Sequence, residues 1–126
     1  MSVPIVEGID HVSVLVRDTG RALEFYRDIL GMPVDESRPA LPYSGAFLRL
    51  GDGRQIHLIE LPNPDPVSGR PAHGGRDRHT ALRIGDLDRV IARLEAAGLL
   101  FTLSSSGRRA LFCRDFDGNA YEFIEV

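Results

Sequence analysis

Asp10-His11-Val12-Ser13-Val14-Leu15-Val16-Arg17-Asp18 and Arg78-His79-Thr80-Ala81-Leu82-Arg83-Ile84-Gly85-Asp86 decide the fold, because one is a copy of the other. In each, a histidine opens a short apolar run that reads as a strand, and an aspartate after it can cap a helix. The copies lie 68 positions apart, from His11 to His79, and the same step carries Asp18 to Asp86 and Arg21 to Arg89. A step of 67 carries Gly31 to Gly98, and a step of 65 carries Asp52-Gly53 to Asp117-Gly118, Ile59-Glu60 to Ile124-Glu125 and His57 to Glu122. The drift from 68 to 65 needs three net deletions, all of which fit in loops. Self-similarity at a fixed period marks a repeated supersecondary unit.

Outward from these stretches the two halves read alike. Ala22, Phe25, Tyr26, Ile29 and Leu30 share one helical face, ended by Gly31 and Pro33. Leu87, Val90, Ile91 and Leu94 form the matching face, ended by Gly98. Strands are expected at Val12–Val16, Ala46–Leu50, Gln55–Leu61, His79–Ile84, Leu99–Leu103, Ala110–Arg114 and Ala120–Val126. Pro62 to Arg78 is 17 residues with four prolines and three glycines, a linker or functional loop. The predicted architecture is α+β: one domain over residues 1–126, made of two tandem βαβββ modules (about 8–61 and 79–126) joined by linker 62–78, each module a half-barrel sheet. One module alone would leave an apolar sheet face exposed, so two are needed to bury it.

Composition removes several functions. The chain has 126 residues and a formal charge of −3, which argues against a nucleic-acid backbone as partner. No apolar run nears the roughly 20 residues that span a bilayer, so no membrane partner is expected. Met1–Asp10 lacks a signal-peptide pattern, and the single Cys113 cannot form an intrachain disulfide; the expected location is cytoplasmic. All 15 basic residues are arginine. Without lysine there is no Schiff-base or P-loop chemistry.

The repeat places strong metal-ligand types on the first strand of each unit (His11, His79) and on the last (His57, Glu122). A two-fold arrangement gathers three imidazoles and one carboxylate, a credible set for one divalent ion per site, Ni, Zn, Co, Mn or Fe. His73, in the linker, reads as structural. Glu60 and Glu125 lie three residues beyond His57 and Glu122 and are expected on the other face, solvated. Cys113 falls on Leu48 in the repeat and reads as core. Arg76, Arg78 and Tyr43, in proline- and glycine-rich loops, are candidate substrate-binding residues.

Asp10-His11-Val12-Ser13, Ala22-Leu23-Glu24-Phe25-Tyr26 through Leu30-Gly31, Ile56-His57-Leu58-Ile59-Glu60, Arg78-His79-Thr80-Ala81-Leu82 and Asp115-Phe116-Asp117-Gly118-Asn119 through Glu122-Phe123 together resemble the vicinal oxygen chelate superfamily. That superfamily includes glyoxalase I, methylmalonyl-CoA epimerase, fosfomycin and bleomycin resistance proteins and extradiol dioxygenases. The resemblance runs from about Gly8 to Val126, is narrowest to glyoxalase I-like proteins, and maps the family's ligand positions to His11, His57, His79 and Glu122. It implies a homodimer with sites at a two-fold interface. Glyoxalase I typically has a glutamate where His57 stands, and its glutathione-anchoring arginine and asparagine are Leu15 and Leu61 here.

The first expectation is therefore a metal-dependent lyase or isomerase. Its small substrate would carry vicinal oxygens, and its proton would move through an enediolate with Glu122 as the base. One alternative is a non-haem Fe(II) extradiol-type dioxygenase on a His11, His79, Glu122 triad, where His57 would be a bystander. The other is a resistance-type protein that binds a drug or metabolite.

Overall fold

The computed structural model describes residues 2–126. The strands are β1 (His11–Leu15), β2 (Gly45–Arg49), β3 (Gln55–Ile59), β4 (His79–Ile84), β5 (Phe101–Leu103), β6 (Ala110–Arg114) and β7 (Ala120–Glu125). The helices are α1 (Thr19–Leu23), which runs on as a π-helical segment over Glu24–Ile29, and α2 (Leu87–Ala96). The first sheet has the order β1-β3-β2 and the second β4-β7-β6-β5. In each, the edge strand runs parallel to the module's last strand and the hairpin strand antiparallel to it. The connection between the two parallel strands of each module passes through its helix, the long crossover that parallel neighbours require.

The two modules are not equal copies. Module two has the four strands expected of βαβββ. Module one has three, and the missing strand is reduced to a single bridge between Val34 and Leu48. Pro33 and Pro39 flank that segment, and each removes a donor that a ladder needs.

Alternation along the strands separates two faces. Ala46, Leu48, Ile56 and Leu58 point into the core, and all are essentially buried. Phe25, Tyr26, Leu94, Leu111, Tyr121 and Phe123 join them in one cluster that spans both modules. Each such aliphatic side chain contributes about 1.5–3 kcal/mol by leaving water. Cys113 lies in this core, as its repeat position predicted, and burial pushes its thiol up to about 12. The other face of each sheet carries the polar candidates.

The modules are also joined by buried polar bonds. The Tyr26 hydroxyl donates to Asp115 Oδ2 at 2.5 Å and lies 2.8 Å from the Tyr121 hydroxyl. Asn119 Nδ2 donates to Asp115 Oδ2 at 2.8 Å and reaches the Leu15 carbonyl on β1 at 3.2 Å. Burial raises the Asp115 carboxyl above its usual range, against the bonds that lower it. The linker is tied down by Asp77, which accepts from Arg70 at 2.7 Å and from Arg114 at 2.9 Å. These two guanidinium groups hold its carboxyl well below the usual range.

Glu60 and Glu125 correct an expectation. They do leave the ligand face, but they are not solvated. Glu60 Oε1 accepts the Thr19 amide at 2.7 Å, and Glu125 Oε2 accepts the Leu87 amide at 2.9 Å. Each therefore satisfies an orphan N–H in the first turn of its own module's helix, beside the capping Asp18 or Asp86. The repeat extends to the caps. Glu125→Ala should lower the midpoint of urea unfolding, and in the same direction Glu60→Ala should lower stability by about 1 kcal/mol, in the range of a lost cap. A change within about 0.5 kcal/mol, the usual size for a solvated surface charge, would contradict this role.

Candidate metal centre

His11 is the first residue of β1 and His57 the third of β3. His79 is the first residue of β4 and Glu122 the third of β7. In the parallel ladders His11 sits opposite Gln55 and Ala81 opposite Glu122, so each pair of candidates lies on one face, displaced by one diagonal step. The result is two equivalent pairs, one per sheet. The His11 and His57 rings stack at 4.0 Å. His79 Nε2 lies 3.4 Å from Glu122 Oε1.

Hydrogen bonds identify the free nitrogen on each ring. His79 Nδ1 donates to the Asp77 carbonyl at 2.9 Å, which leaves Nε2 as the lone-pair atom in the neutral ring. His11 Nδ1 pairs with Asp10 Oδ1 at 2.8 Å, which again leaves Nε2. His57 differs. Its Nε2 lies 2.8 Å from Gln55 Oε1, and Gln55 Nε2 donates to Asp35 Oδ2 at 2.7 Å. That relay makes Nδ1 the open atom of His57. Ser37 and Gln55 donate to Asp35 and hold its carboxyl down to about 2. His57 is further gripped by Phe47, stacked at 3.5 Å. Burial, then the neighbouring His11, lowers the His57 pKa, and Arg38 adds to this.

The donor chemistry fits a divalent ion. Neutral imidazole lone pairs and a buried carboxylate, 5% exposed, are what such an ion needs. In a neutral His79, Nε2 and Glu122 Oε1 face each other as two acceptors, an arrangement that a shared cation relieves. The two pairs do not merge within one chain: among the described residues no three His, Cys, Asp or Glu side chains gather into one potential site.

Other candidates fall around this frame. Arg78 forms an ion pair with Asp65, and its amide donates to the Asp77 carboxylate. Arg76 ends the short 3₁₀ turn Gly74–Arg76 and is exposed. That turn packs on the second sheet's polar face: a Cβ on Gly74 would lie 3.4 Å from the Ala120 Cβ. His73 Nδ1 lies 2.8 Å from the Thr102 hydroxyl, and its ring meets Phe112 edge-on at 4.7 Å. Tyr43 is half-buried, in the loop before β2. Arg78, His79, Asp77 and the Asp117–Tyr121 turn line a cavity of about 320 Å³ with residues of β1.

Sequence reading missed Gln55, Asp35 and Arg108. Arg108 Nη2 donates to Glu122 Oε2 at 3.0 Å and neutralises the buried carboxylate. Gln55 could have been found, since it stands two residues before His57 on a strand and so shares its face. Arg108 sits in the β5–β6 loop, where no period relates it to Glu122.

Paired modules of this kind, each with its first strand parallel to its last and a helix between them, define a class of α+β protein. The match to a family model over residues 8–123 places the chain within it: it belongs to the glyoxalase/bleomycin resistance protein/dioxygenase superfamily. It is 30% identical over 122 residues to a lactoylglutathione lyase of Haemophilus influenzae, covering 91% of this chain and 90% of that protein. It is 31% identical over 91 residues to glyoxylase I 4 of Arabidopsis thaliana, covering 72% of this chain but only about half (52%) of that relative. A mutant of the fosfomycin resistance protein of Listeria monocytogenes, solved with Mn(II) and 1S,2S-dihydroxypropylphosphonic acid, shares the fold with a TM-score of 0.74 at 20% identity. That alignment covers 96% of this chain and 93% of the other.

The His57 environment has a measurable consequence in the metal-free protein. NMR titration should give a His57 midpoint below the usual value of about 6.5. As pH falls from about 6.5, the unfolded chain binds this proton before the folded one does. The contribution of His57 is thus present above that pH and lost as pH drops through the lowered midpoint. His57→Phe should flatten the acid limb of the stability profile; an unchanged limb would show that His57 titrates normally.

Proposed function

We propose that this chain is a metal-dependent lyase or isomerase of the glyoxalase I type. Its substrate is a small molecule with vicinal oxygens, and its reaction moves a proton between neighbouring carbons. The observation that supports this most directly is the equivalence of the two donor pairs. They occupy the same ladder positions in both sheets, on the face turned away from the core, with an unshared lone pair on every ring.

His11, His57, His79 and Glu122 would hold one divalent ion. Because the pairs stay separate within a chain, the centre is completed across a homodimer: His11 and His57 of one subunit with the partner's His79 and Glu122. Apolar residues left exposed near β1, Val3, Ile5, Val6 and Ile9, at 85, 96, 80 and 65% exposure, favour such an interface. A divalent ion bound there lowers the cost of negative charge that develops on the substrate's vicinal oxygens. Glu122 takes the proton from one carbon and returns it to the next. His79 Nε2, 3.4 Å from Oε1, and Arg108 on Oε2 orient that carboxylate. Leu15 and Leu61, where glyoxalase I anchors glutathione, favour a substrate other than a glutathione adduct. The single cysteine, a buried free thiol, fits a reducing, cytoplasmic setting.

One observation favours a second reading. His57 is engaged by Gln55 and stacked on Phe47, as a structural residue would be. A His11, His79, Glu122 triad would then serve a non-haem iron dioxygenase.

Metal analysis of protein purified without added metal, light scattering, and aerobic turnover of hydroxyketones, thiol–methylglyoxal adducts and catechols test these readings together. The expected result is one ion per site, a dimer, and product without oxygen uptake. His57→Ala should lose metal affinity and turnover together. Glu122→Gln should lose turnover more than substrate binding. Oxygen consumed in step with product, with His57→Ala unimpaired, would replace the first reading by the second. A metal-loaded monomer would exclude a shared centre.

A further inference from the structure

Arg38 carries a charge that the described part of the chain does not answer. Its Nε is enclosed and hydrogen-bonds to nothing. Nη2 donates to the Tyr43 carbonyl at 3.0 Å, and no carboxylate lies within ion-pair distance among the described residues. The guanidinium carbon lies 5.8 Å from the Tyr43 ring centre and 5.7 Å from that of Phe47. Phe47 in turn stacks on His57 at 3.5 Å, so a single ring links this cation to the candidate ligand.

The placement is built. The Leu58 carbonyl, 2.2 Å from where a Cβ on Gly45 would lie, keeps that position glycine, and the guanidinium lies along it, with Nη2 3.1 Å from the same point. An arginine on a polar surface normally keeps its donors in water. Here the Tyr43 carbonyl and the gap at Gly45 hold it partly desolvated, with an N–H left unpaired, which is costly unless something else is gained. A guanidinium is permanently charged, and its planar fork matches the oxygens of a carboxylate or phosphate.

We propose that Arg38 anchors an anionic group of the substrate, a carboxylate or a phosphate, taken by Nη1, which has no hydrogen-bond partner among the described residues. Its neighbourhood to the reacting centre rests on the reading of His57 as a metal ligand; the anion site itself does not. With the vicinal oxygens at one end and the anion at the other, the substrate is held at two points, and its reacting carbons are presented in one orientation. Tyr43, a candidate from sequence, acts through its carbonyl, which aims Arg38.

The test uses the metal-free full chain, titrated separately with acetate and with inorganic phosphate and followed by ¹⁵N NMR. Saturable shifts should centre on Arg38 Nε and on the amides of Tyr43, Gly45 and Phe47, and the tighter of the two anions names the group. Arg38→Gln should weaken that binding at least tenfold with the fold unchanged in the remaining spectrum. Arg38→Lys, which keeps the charge but not the fork, should fall between. No saturation by either anion, or equal binding by Arg38→Gln, overturns the proposal and leaves Arg38 a packing residue. Repeating the titration with zinc separates the two readings. Failure of the metal centre shows as no zinc uptake with the anion shifts intact. Anion binding that appears only with zinc and survives Arg38→Gln assigns the anion to the metal and overturns the role of Arg38.

Discussion

Were β1 to slip one residue against β3, His11 would turn into the core and Val12 would replace it on the open face. The same holds for β4 against β7. Everything at the candidate centre depends on these two parallel registers, since strand side chains alternate with a period of two. The register is held from both sides. Val12, Val14, Ile56 and Leu58 lose their burial if it shifts, and both ends of β7 are anchored elsewhere. Asn119 bonds the Leu15 carbonyl at the end of β1, and the Leu87 amide at the start of α2 is taken by Glu125 at the end of β7. The donor pairs are thus a by-product of packing that has its own reasons to be where it is.

The polar cluster around Asp115 connects the modules in a different way. A carboxylate this buried is costly unless its lone pairs are used, and here the Tyr26 hydroxyl, the Asn119 amide and the backbone amides of Asp117 and Asn119 use them. Tyr26 comes from the π-helical segment of module one, the others from module two. Such a network is directional where apolar packing is not. It sets one module against the other in a single arrangement, with Arg17 on Asp117 at its solvent edge.

Much of this was legible in the sequence because the repeat is a physical constraint visible in residues. Positions 11 and 79, 57 and 122, 31 and 98 recur because the same strand start, donor position and stop are built twice. Gly31 and Gly98 indeed take φ of 74° and 70°, and Gly53 and Gly118 take 87° and 83° at the matching turns. What the repeat could not carry was what only one module has. The lost strand at Val34 follows from prolines that module two lacks at that place. Arg108 and Arg38 lie in loops, where periodicity says nothing. Glu60 and Glu125 were visible as a pair but misread, because alternation tells which face a side chain leaves by and not what it meets there.

The departures from symmetry are where chemistry can be found. His57 against Glu122 makes one half-site neutral and the other acidic. A divalent ion on three neutral imidazoles and one carboxylate would keep about one positive charge, where a second carboxylate would cancel it. Arg108 already neutralises Glu122 when no ion is present, and it need not stay there once an ion does so. Arg38 stands beside the neutral half. The chain as a whole is acidic, at −3, yet Arg108 stands on Glu122 and Arg38 beside Phe47, one guanidinium near each half-site. Field lines in a cleft follow its nearest charges rather than the total. A site of this sign stabilises negative charge that appears on a substrate during proton transfer, and it draws in a substrate that carries negative charge from the start.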